Sequence, residues 1–184
     1  MRHTRSIASG ALALGLAAVA FAQDAAPAAR YAANMEAELR QLGIEAQCAS
    51  ESQSRHHCRY ARPSVAGHRD LSFGGIAPAL RGGAMSMHAV YSDESDTVYF
   101  YVERYLVVPS DHARAATVLR RLMELNWELL VGKFEWNPRT GEVRLSATLN
   151  TDSNFDRRAF RSIVGALDVI AARYVAELND LRGP

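Results

Sequence analysis

Residues 132–149, GKFEWNPRTGEVRLSATL, contain the clearest two-residue periodicity in the chain and decide its fold class. Gly132, Phe134 and Trp136 alternate with charged residues before a polar turn at 137–141. Apolar side chains alternate again after the turn, at Val143, Leu145, Ala147 and Leu149. Because successive side chains of a strand point to opposite faces of a sheet, this pattern predicts a β-hairpin with one buried face.

A second pair of alternating segments lies upstream, at 84–91 and 97–107, on either side of the polar turn 92–96. One face of the first segment contains Met85, Met87, Ala89 and Tyr91. One face of the second contains Val98, Phe100, Val102 and Leu106, and the opposite face contains Tyr99, Tyr101, Glu103 and Tyr105. The two segments predict a long antiparallel hairpin.

Three segments have the apolar periodicity of amphipathic helices. The first spans 31–42, and the second begins at Ser110 or Asp111, either of which would cap it. One face of the second is predicted to contain Leu119, Leu122, Met123 and Asn126. The third has the longest stripe, at Phe160, Ile163, Val164, Leu167, Ile170, Ala171, Tyr174, Val175, Leu178 and Leu181. Ser153 and Asp156 resemble a capping box at its start.

The remaining segments complete the predicted order of elements. A short hairpin is predicted with arms at 44–48 and 57–61 and a polar loop at 49–55. Residues 62–83 contain two Gly-Gly pairs and two prolines, which predicts an irregular surface loop. The order is therefore α-β-β-(loop)-β-β-α-β-β-α, with antiparallel pairing in every hairpin. Helices covering one face of such a sheet give an α+β two-layer sandwich.

The first 22 residues have the features of a secretory signal peptide. A basic start at 1–5 precedes an apolar stretch at 7–19 and the small-x-small sequence Ala20-Phe21-Ala22. Cleavage is expected between Ala22 and Gln23. An uncleaved anchor is the alternative, but the apolar stretch is shorter than the ~20 residues that span a bilayer.

Export places the mature protein in the periplasm or outside the cell. Its expected parts are a flexible linker at 23–30 and a single domain at 31–184. Without residues 1–22 the chain retains 19 Lys and Arg against 20 Asp and Glu. This near-neutral charge disfavours nucleic-acid binding and gives no electrostatic attraction to an anionic membrane.

The segment at 119–149 resembles the YbjN family, whose domain is related to type III secretion chaperones. The resemblance rests on Glu124-Leu125-Asn126-Trp127, then Leu130-Val131-Gly132-Lys133-Phe134, then Gly141-Glu142-Val143-Arg144-Leu145. Leu42-Gly43 followed by a strand also fits the family. The resemblance implies a chaperone-like α+β fold, a dimer, and a binding or regulatory role without known chemistry. Typical members of the family are cytoplasmic, whereas an export signal is predicted for this chain.

Cys48 and Cys58 are the only cysteines. In an exported protein a disulfide is the expected state, and the predicted hairpin can bring the two Cβ atoms to bonding distance. A metal site made of Cys48, His56, His57 and Cys58 is the alternative. Adjacent histidines on a strand point to opposite faces, which favours the disulfide. Thiol-redox catalysis is disfavoured because there is no Cys-x-x-Cys motif.

No other group of residues predicts catalysis, a metal or a cofactor. Ser110, Asp111 and His112 have the residue types of a triad but are neighbours at a predicted helix start, where capping is favoured. The glycine pairs at 74–75 and 82–83 match no phosphate-binding motif. Three other groups are read as structural or solvated: His88, the acidic turn Asp93-Glu94-Asp96, and Arg157, Arg158 and Arg161.

Tyr99, Tyr101 and Tyr105 are the remaining candidates, since they are predicted to share the sheet face opposite the helices. Tyrosine is enriched at protein interfaces. The sequence therefore predicts an exported, non-enzymatic protein-binding module, chaperone-like or regulatory and dimeric, whose partner is a protein or a second copy. Coverage of the tyrosines by residues 62–83 is an equal alternative for that face. The alternative function is a periplasmic metal-binding or thiol-redox protein using the Cys48–Cys58 region.

Overall fold

A computed structural model of the protein describes residues 29–63 and 84–183. The elements are α1 (Ala32–Gln41), β1 (Ala46–Ser52), β2 (Arg55–Pro63), β3 (Ala84–Ser92), β4 (Thr97–Val107), α2 (Ala115–Glu128), β5 (Lys133–Trp136), β6 (Glu142–Asn150) and α3 (Arg157–Arg182). This order confirms the predicted one. The predicted signal peptide, most of the linker and most of the loop at 62–83 lie outside the described residues.

The strands form one antiparallel sheet in the order β1-β2-β3-β4-β6-β5. All three predicted hairpins are present as β1–β2, β3–β4 and β5–β6, and β2 also pairs with β3. The helices pack on one face and bury a single apolar core. The protein is therefore an α+β two-layer sandwich, as predicted.

The C-terminal helix α3 supplies much of this core. Phe160, Leu167 and Tyr174 are all buried, and the Phe160 ring meets the edge of Phe100 at a centroid distance of 5.0 Å. Phe134 lies opposite Leu145 in the β5–β6 register, and Val143 lies opposite Trp136. The periodicities quoted above therefore predicted both the helix stripe and the hairpin.

The predicted starts of helices α2 and α3 differ from the observed ones. The carboxylate of Asp156, not Ser153, caps α3 by accepting a hydrogen bond from the Ala159 amide at 2.9 Å. Helix α2 begins at Ala115, after two turns in which His112 N–H donates to Pro109 and Ala115 N–H donates to His112. Because the turns satisfy these backbone groups, the predicted caps Ser110 and Asp111 lie outside the helix.

The β1–β2 hairpin is longer than predicted. Its strands continue to Ser52 and Arg55, so only residues 53–54 form the turn. The predicted loop at 49–55 is wrong because polar residues also occupy the solvent side of an edge strand. At the start of the domain, Ala29 is buried and the Arg30 amide donates to the carboxylate of Asp93. Residues 29 and 30, at the end of the predicted linker, therefore pack against the domain.

The segment that resembles the YbjN family consists of residues with structural roles. The Asn126 side chain joins α2 to β5, accepting from the Phe134 amide at 2.7 Å and donating to the Phe134 carbonyl at 3.0 Å. Gly132 and Gly141 have φ angles of +82° and +71°, in the region that glycine occupies without strain. The segment therefore holds the β5–β6 hairpin against α2.

Candidate functional site

Cys48 and Cys58 form the predicted disulfide. They are direct partners in the β1–β2 register, with their Cα atoms 4.0 Å apart. Cys58 is buried and Cys48 is half-buried on the helix side of the sheet. A disulfide of this kind fits an oxidising, extracellular compartment, since cytosolic thiols are kept reduced.

His56 and His57 point to opposite faces of β2, as expected for adjacent residues. His56 lies on the helix side, where its Nε2 is 2.8 Å from Glu36 Oε1 and its Nδ1 is 3.2 Å from Ser50 Oγ. The ligand atoms of His56, Cys48 and Cys58 lie within 4.8 Å of one another, but the two sulfurs are bonded together. The structure therefore does not bring together the four-residue set proposed from the sequence.

His57 instead meets His88 on the open face of the sheet. Nε2 of His57 is 2.8 Å from Nδ1 of His88. The outer nitrogen of each ring faces a carboxylate: His57 Nδ1 is 3.0 Å from Glu51 Oε1, and His88 Nε2 is 3.1 Å from Glu103 Oε2. We call these four residues, Glu51, His57, His88 and Glu103, the histidine relay.

The register of four neighbouring strands positions the histidine relay. His88 lies opposite Arg59 in the β2–β3 pair, so His57 is its diagonal neighbour two residues before Arg59. His88 also lies opposite Tyr101 in the β3–β4 pair, and Glu103 follows two residues later on the same face. Glu51 approaches from the edge strand β1. Residues distant in sequence thus meet through the period-two alternation of the strands.

Tyr101 covers one side of His88. The two rings are nearly parallel, with an interplanar angle of 2° and centroids 4.4 Å apart. The Arg144 guanidinium lies 4.6 Å from the centroid of the Tyr101 ring and is held by Glu142 at 2.8 Å. His88 is 5% exposed as a result. The histidine predicted to be structural is therefore buried among polar and aromatic groups.

Ionisation of the open face is governed mainly by burial. Burial lowers the pKa of His88 more than its hydrogen bond to Glu103 raises it, which favours the neutral imidazole. Burial, followed by a hydrogen bond to Glu135, raises the pKa of Tyr99 to about 12. Burial alone would raise the pKa of Glu135, but hydrogen bonds from Tyr99 and Lys133 lower it overall.

Tyr105 does not lie on the open face, so its predicted position is wrong. It is 1% exposed, and its hydroxyl donates to the Ala171 carbonyl in α3 at 2.8 Å. The β4–β6 register shifts between Val102 and Leu106, and Arg104 within this bulge has a positive φ of 49°. A bulge adds an unpaired residue, which turns Tyr105 to the helix side. Only Tyr99 and Tyr101 remain on the predicted face, and both are half-buried.

Two other groups considered from the sequence have structural partners. The Asp93 carboxylate accepts from the Arg30 amide and the Tyr91 hydroxyl, which ties the β3–β4 turn to the start of the domain. Arg161 binds the buried carboxylate of Glu38 at 2.5 Å and so joins α3 to α1. The turn and the arginine therefore stabilise the fold.

The exposed side of α2 and the segment that follows it contain an apolar group that sequence reasoning missed. We call it the α2 patch and define it by Met123, Trp127, Leu130 and Val131. Trp127 is 92% exposed, Met123 is 67% exposed and Leu130 is fully exposed. The predicted inward position of Met123 is wrong, because the side buried against the core contains Ala115, Val118, Leu122 and Leu125. The signal available in the sequence was that Trp127 lies outside the predicted apolar face of this helix.

Comparisons with known proteins add no relative to this description. No protein-family model matches the chain, and no curated protein matches it. The resemblance to the YbjN family therefore stays a prediction based on the quoted residues. Among the described residues, no helix combines the length and the apolar character needed to cross a membrane.

Proposed function

We propose that the protein is an exported, non-enzymatic protein-binding module that forms a homodimer through the α2 patch. The observation that carries this proposal is the exposure of Trp127, at 92% of its surface, beside a fully exposed Leu130. Tryptophan is enriched among residues that dominate binding energy at protein interfaces. Burying these side chains against a protein surface would remove them from water and so favour association.

The arrangement of residues along α2 favours a second copy as the occupant. Ala116, Arg120, Met123 and Trp127 are exposed and spaced so that they share one helix face. In a two-fold dimer both copies use the same helix face, so each residue of the α2 patch meets another part of that face on the partner. An antiparallel pair of α2 helices would place the large Trp127 of each copy beside the small Ala116 of the other. The face is therefore self-complementary in size.

Dimerisation through α2 leaves the open sheet face available to a further protein segment. The YbjN resemblance suggests a chaperone-like or regulatory use of such a surface, and the disulfide and the signal-like start suggest action in the periplasm or outside the cell. Tyr99 and Tyr101 remain candidates for this contact. Their polar neighbours already engage them within the sheet, so the α2 patch carries the proposal.

Light scattering coupled to size exclusion on the full chain, exported and oxidised, tests the dimer. The native protein should have twice the monomer mass, and Trp127→Lys should be monomeric but folded, with a lower unfolding temperature because the partner no longer stabilises the folded state. Val169→Lys is the matched control, because Val169 is 65% exposed on α3 and should leave the dimer intact. A native protein that stays monomeric up to about 1 mM would overturn the proposal.

A metal-binding or thiol-redox function is a second candidate, favoured by the proximity of His56 to Cys48 and Cys58. Reduction of the disulfide would place three ligand atoms within 4.8 Å on the helix side of the sheet. Intact mass and zinc content, measured before and after reduction, test this function. Zinc bound by the reduced protein and lost in His56→Gln would support metal binding, and a reduced protein without zinc would exclude metal binding.

A further inference from the structure

The inner nitrogens of the histidine relay, His57 Nε2 and His88 Nδ1, lie 2.8 Å apart on the open face of the sheet. Each outer nitrogen faces a carboxylate, Glu51 or Glu103, to which it can donate an N–H. When two neutral rings donate outward in this way, both inner nitrogens direct lone pairs into the space between the rings. Ser86 Oγ, 3.2 Å from His88 Nε2, offers a second arrangement, in which the hydroxyl donates to Nε2 and the Nδ1–H of His88 joins the rings. The outward-donating arrangement is the one that can bind a cation between the rings.

The spacing of the inner nitrogens is close to that of two ligands on one metal ion. Zinc–nitrogen bonds of about 2.0–2.1 Å at a tetrahedral angle separate two ligand nitrogens by about 3.3 Å. His57 Nε2 and His88 Nδ1, now 2.8 Å apart, would need to separate by only about half an ångström. A small rotation of the His57 ring, whose side chain is 25% exposed, would provide this.

The outer carboxylates have the position of second-layer groups at known metal sites. Histidine ligands commonly donate their free N–H to a carboxylate, which fixes the ring orientation and raises its basicity. Glu51 and Glu103 are placed to accept such an N–H from His57 and His88 respectively. Glu103 would offset part of the charge of a divalent cation bound by two neutral rings, and Glu51 would contribute less because it also pairs with Arg55 at 2.8 Å.

We propose that His57 and His88 form a binding site for a divalent transition-metal ion such as Zn²⁺ or Cu²⁺. Imidazole nitrogens select these ions over Mg²⁺ and Ca²⁺, which prefer oxygen ligands. Water would complete the coordination on the open side of the sheet. Of the nearby arginines, Arg59 donates to Gln47 at 3.0 Å and Arg144 pairs with Glu142, whereas Arg55 pairs with Glu51 of the relay at 2.8 Å. This site lies on the opposite face from the disulfide and does not depend on the proposed dimer.

Calorimetric titration of the oxidised full chain with ZnCl₂ and CuCl₂ tests the site. One ion should bind per chain with the disulfide intact. Glu103→Gln should weaken binding about tenfold, and His57→Gln by more than the roughly 10- to 100-fold typical of a lost outer carboxylate. His56→Gln is the matched control, because this neighbour faces the helices and its loss should leave the affinity unchanged.

Electron paramagnetic resonance of the Cu²⁺-loaded protein provides a second readout. Hyperfine structure from two nitrogens should appear in the native protein and from one in His57→Gln, whose partly exposed side chain allows folding without it. Binding whose affinity is unchanged in His57→Gln, or an absence of binding to the oxidised protein, would overturn the site. Binding that requires reduction and is lost in His56→Gln would also overturn it, by placing the metal beside the cysteines. Trp127→Lys should retain the metal, so this test is independent of dimerisation.

Discussion

Gly141 occupies a position where the backbone leaves no room for a side chain. Its φ angle is +71°, and a Cβ atom built on it would lie 2.7 Å from the nitrogen of Pro109. Gly141→Ala should therefore destabilise the protein by more than about 2 kcal/mol, since the left-handed backbone alone costs an L-residue roughly 1–2 kcal/mol. Urea unfolding measures this change.

Gly165 provides the control for the same substitution. It is exposed within α3, and a Cβ atom there would meet nothing within 4 Å. Gly165→Ala should stabilise the protein by about 1 kcal/mol, because alanine has the higher helix propensity. Equal effects of the two substitutions would contradict the conformation described for Gly141.

Tyr105 shows how a single β-bulge reverses the sheet face predicted for a side chain. Strict alternation from Tyr99 places Tyr105 on the open face, and a single bulge at Arg104 reverses that assignment. Arginine carries no propensity for a positive φ, so the sequence contains no signal for the bulge. Tyr99 and Tyr101 precede the bulge, and the alternation placed them correctly.

Among the elements, the β1–β2 hairpin is crosslinked by a disulfide. The length of the loop that this bond closes predicts how much it stabilises the folded protein. Cys48 and Cys58 are ten positions apart in sequence, and closing this loop in the unfolded chain contributes about 2.8 kcal/mol in the chain-entropy model. Replacing both cysteines with serine should lower the free energy of unfolding by about this amount. Urea titration with and without reductant measures it.

A reductant should have no effect on the double serine variant, which serves as the control. If the native protein keeps its full stability after complete reduction, the hairpin is held by its strand pairing alone. The prediction would then be wrong.

Helix α2 shows what periodicity can and cannot locate within an element. The sequence predicted a helix in this region, but it placed Met123 with Leu119 and Leu122 toward the core. The apolar face of a helix is wide, so periodicity alone does not determine whether position 122 or position 123 faces the core. Packing of α2 against α3 and β5 determines it. The α2 patch therefore became visible only from the packed structure.

Across the whole molecule, several tyrosine hydroxyls are held neutral by the fold. Burial is the largest cause of the raised pKa of Tyr60, Tyr91, Tyr99 and Tyr105. Above pH about 10 the unfolded chain loses these protons while the folded protein retains them. The free energy of unfolding should therefore decrease as the pH rises from about 10 to 12.

Urea unfolding at a series of alkaline pH values measures this decrease. Tyr105→Phe should have a shallower dependence on pH, because it removes one of the four groups. Its stability at neutral pH should also decrease, since the hydrogen bond to Ala171 is lost. A native protein whose stability stays constant or increases over this range would contradict the prediction.

The two-layer architecture was predictable because it depends on averages over many residues. The apolar periods of β3, β4, β6 and α3 agree with one another, so a few exceptions leave the fold class unchanged. The histidine relay depends instead on the register between β2 and β3, since a shift of one residue would move His57 to the other face. The strands are separated by residues 64–83, so no short turn revealed this register in the sequence.

The position of β1 at the margin of the sheet has a consequence for how molecules meet at high concentration. A marginal strand presents unpaired backbone groups and can detach to join a neighbouring molecule. The bond between Cys48 and Cys58 ties this strand to the next one at its middle. Oxidised molecules should therefore resist exchange of β1 between chains. In a reducing environment β1 could detach and pair with other molecules, which would promote aggregation.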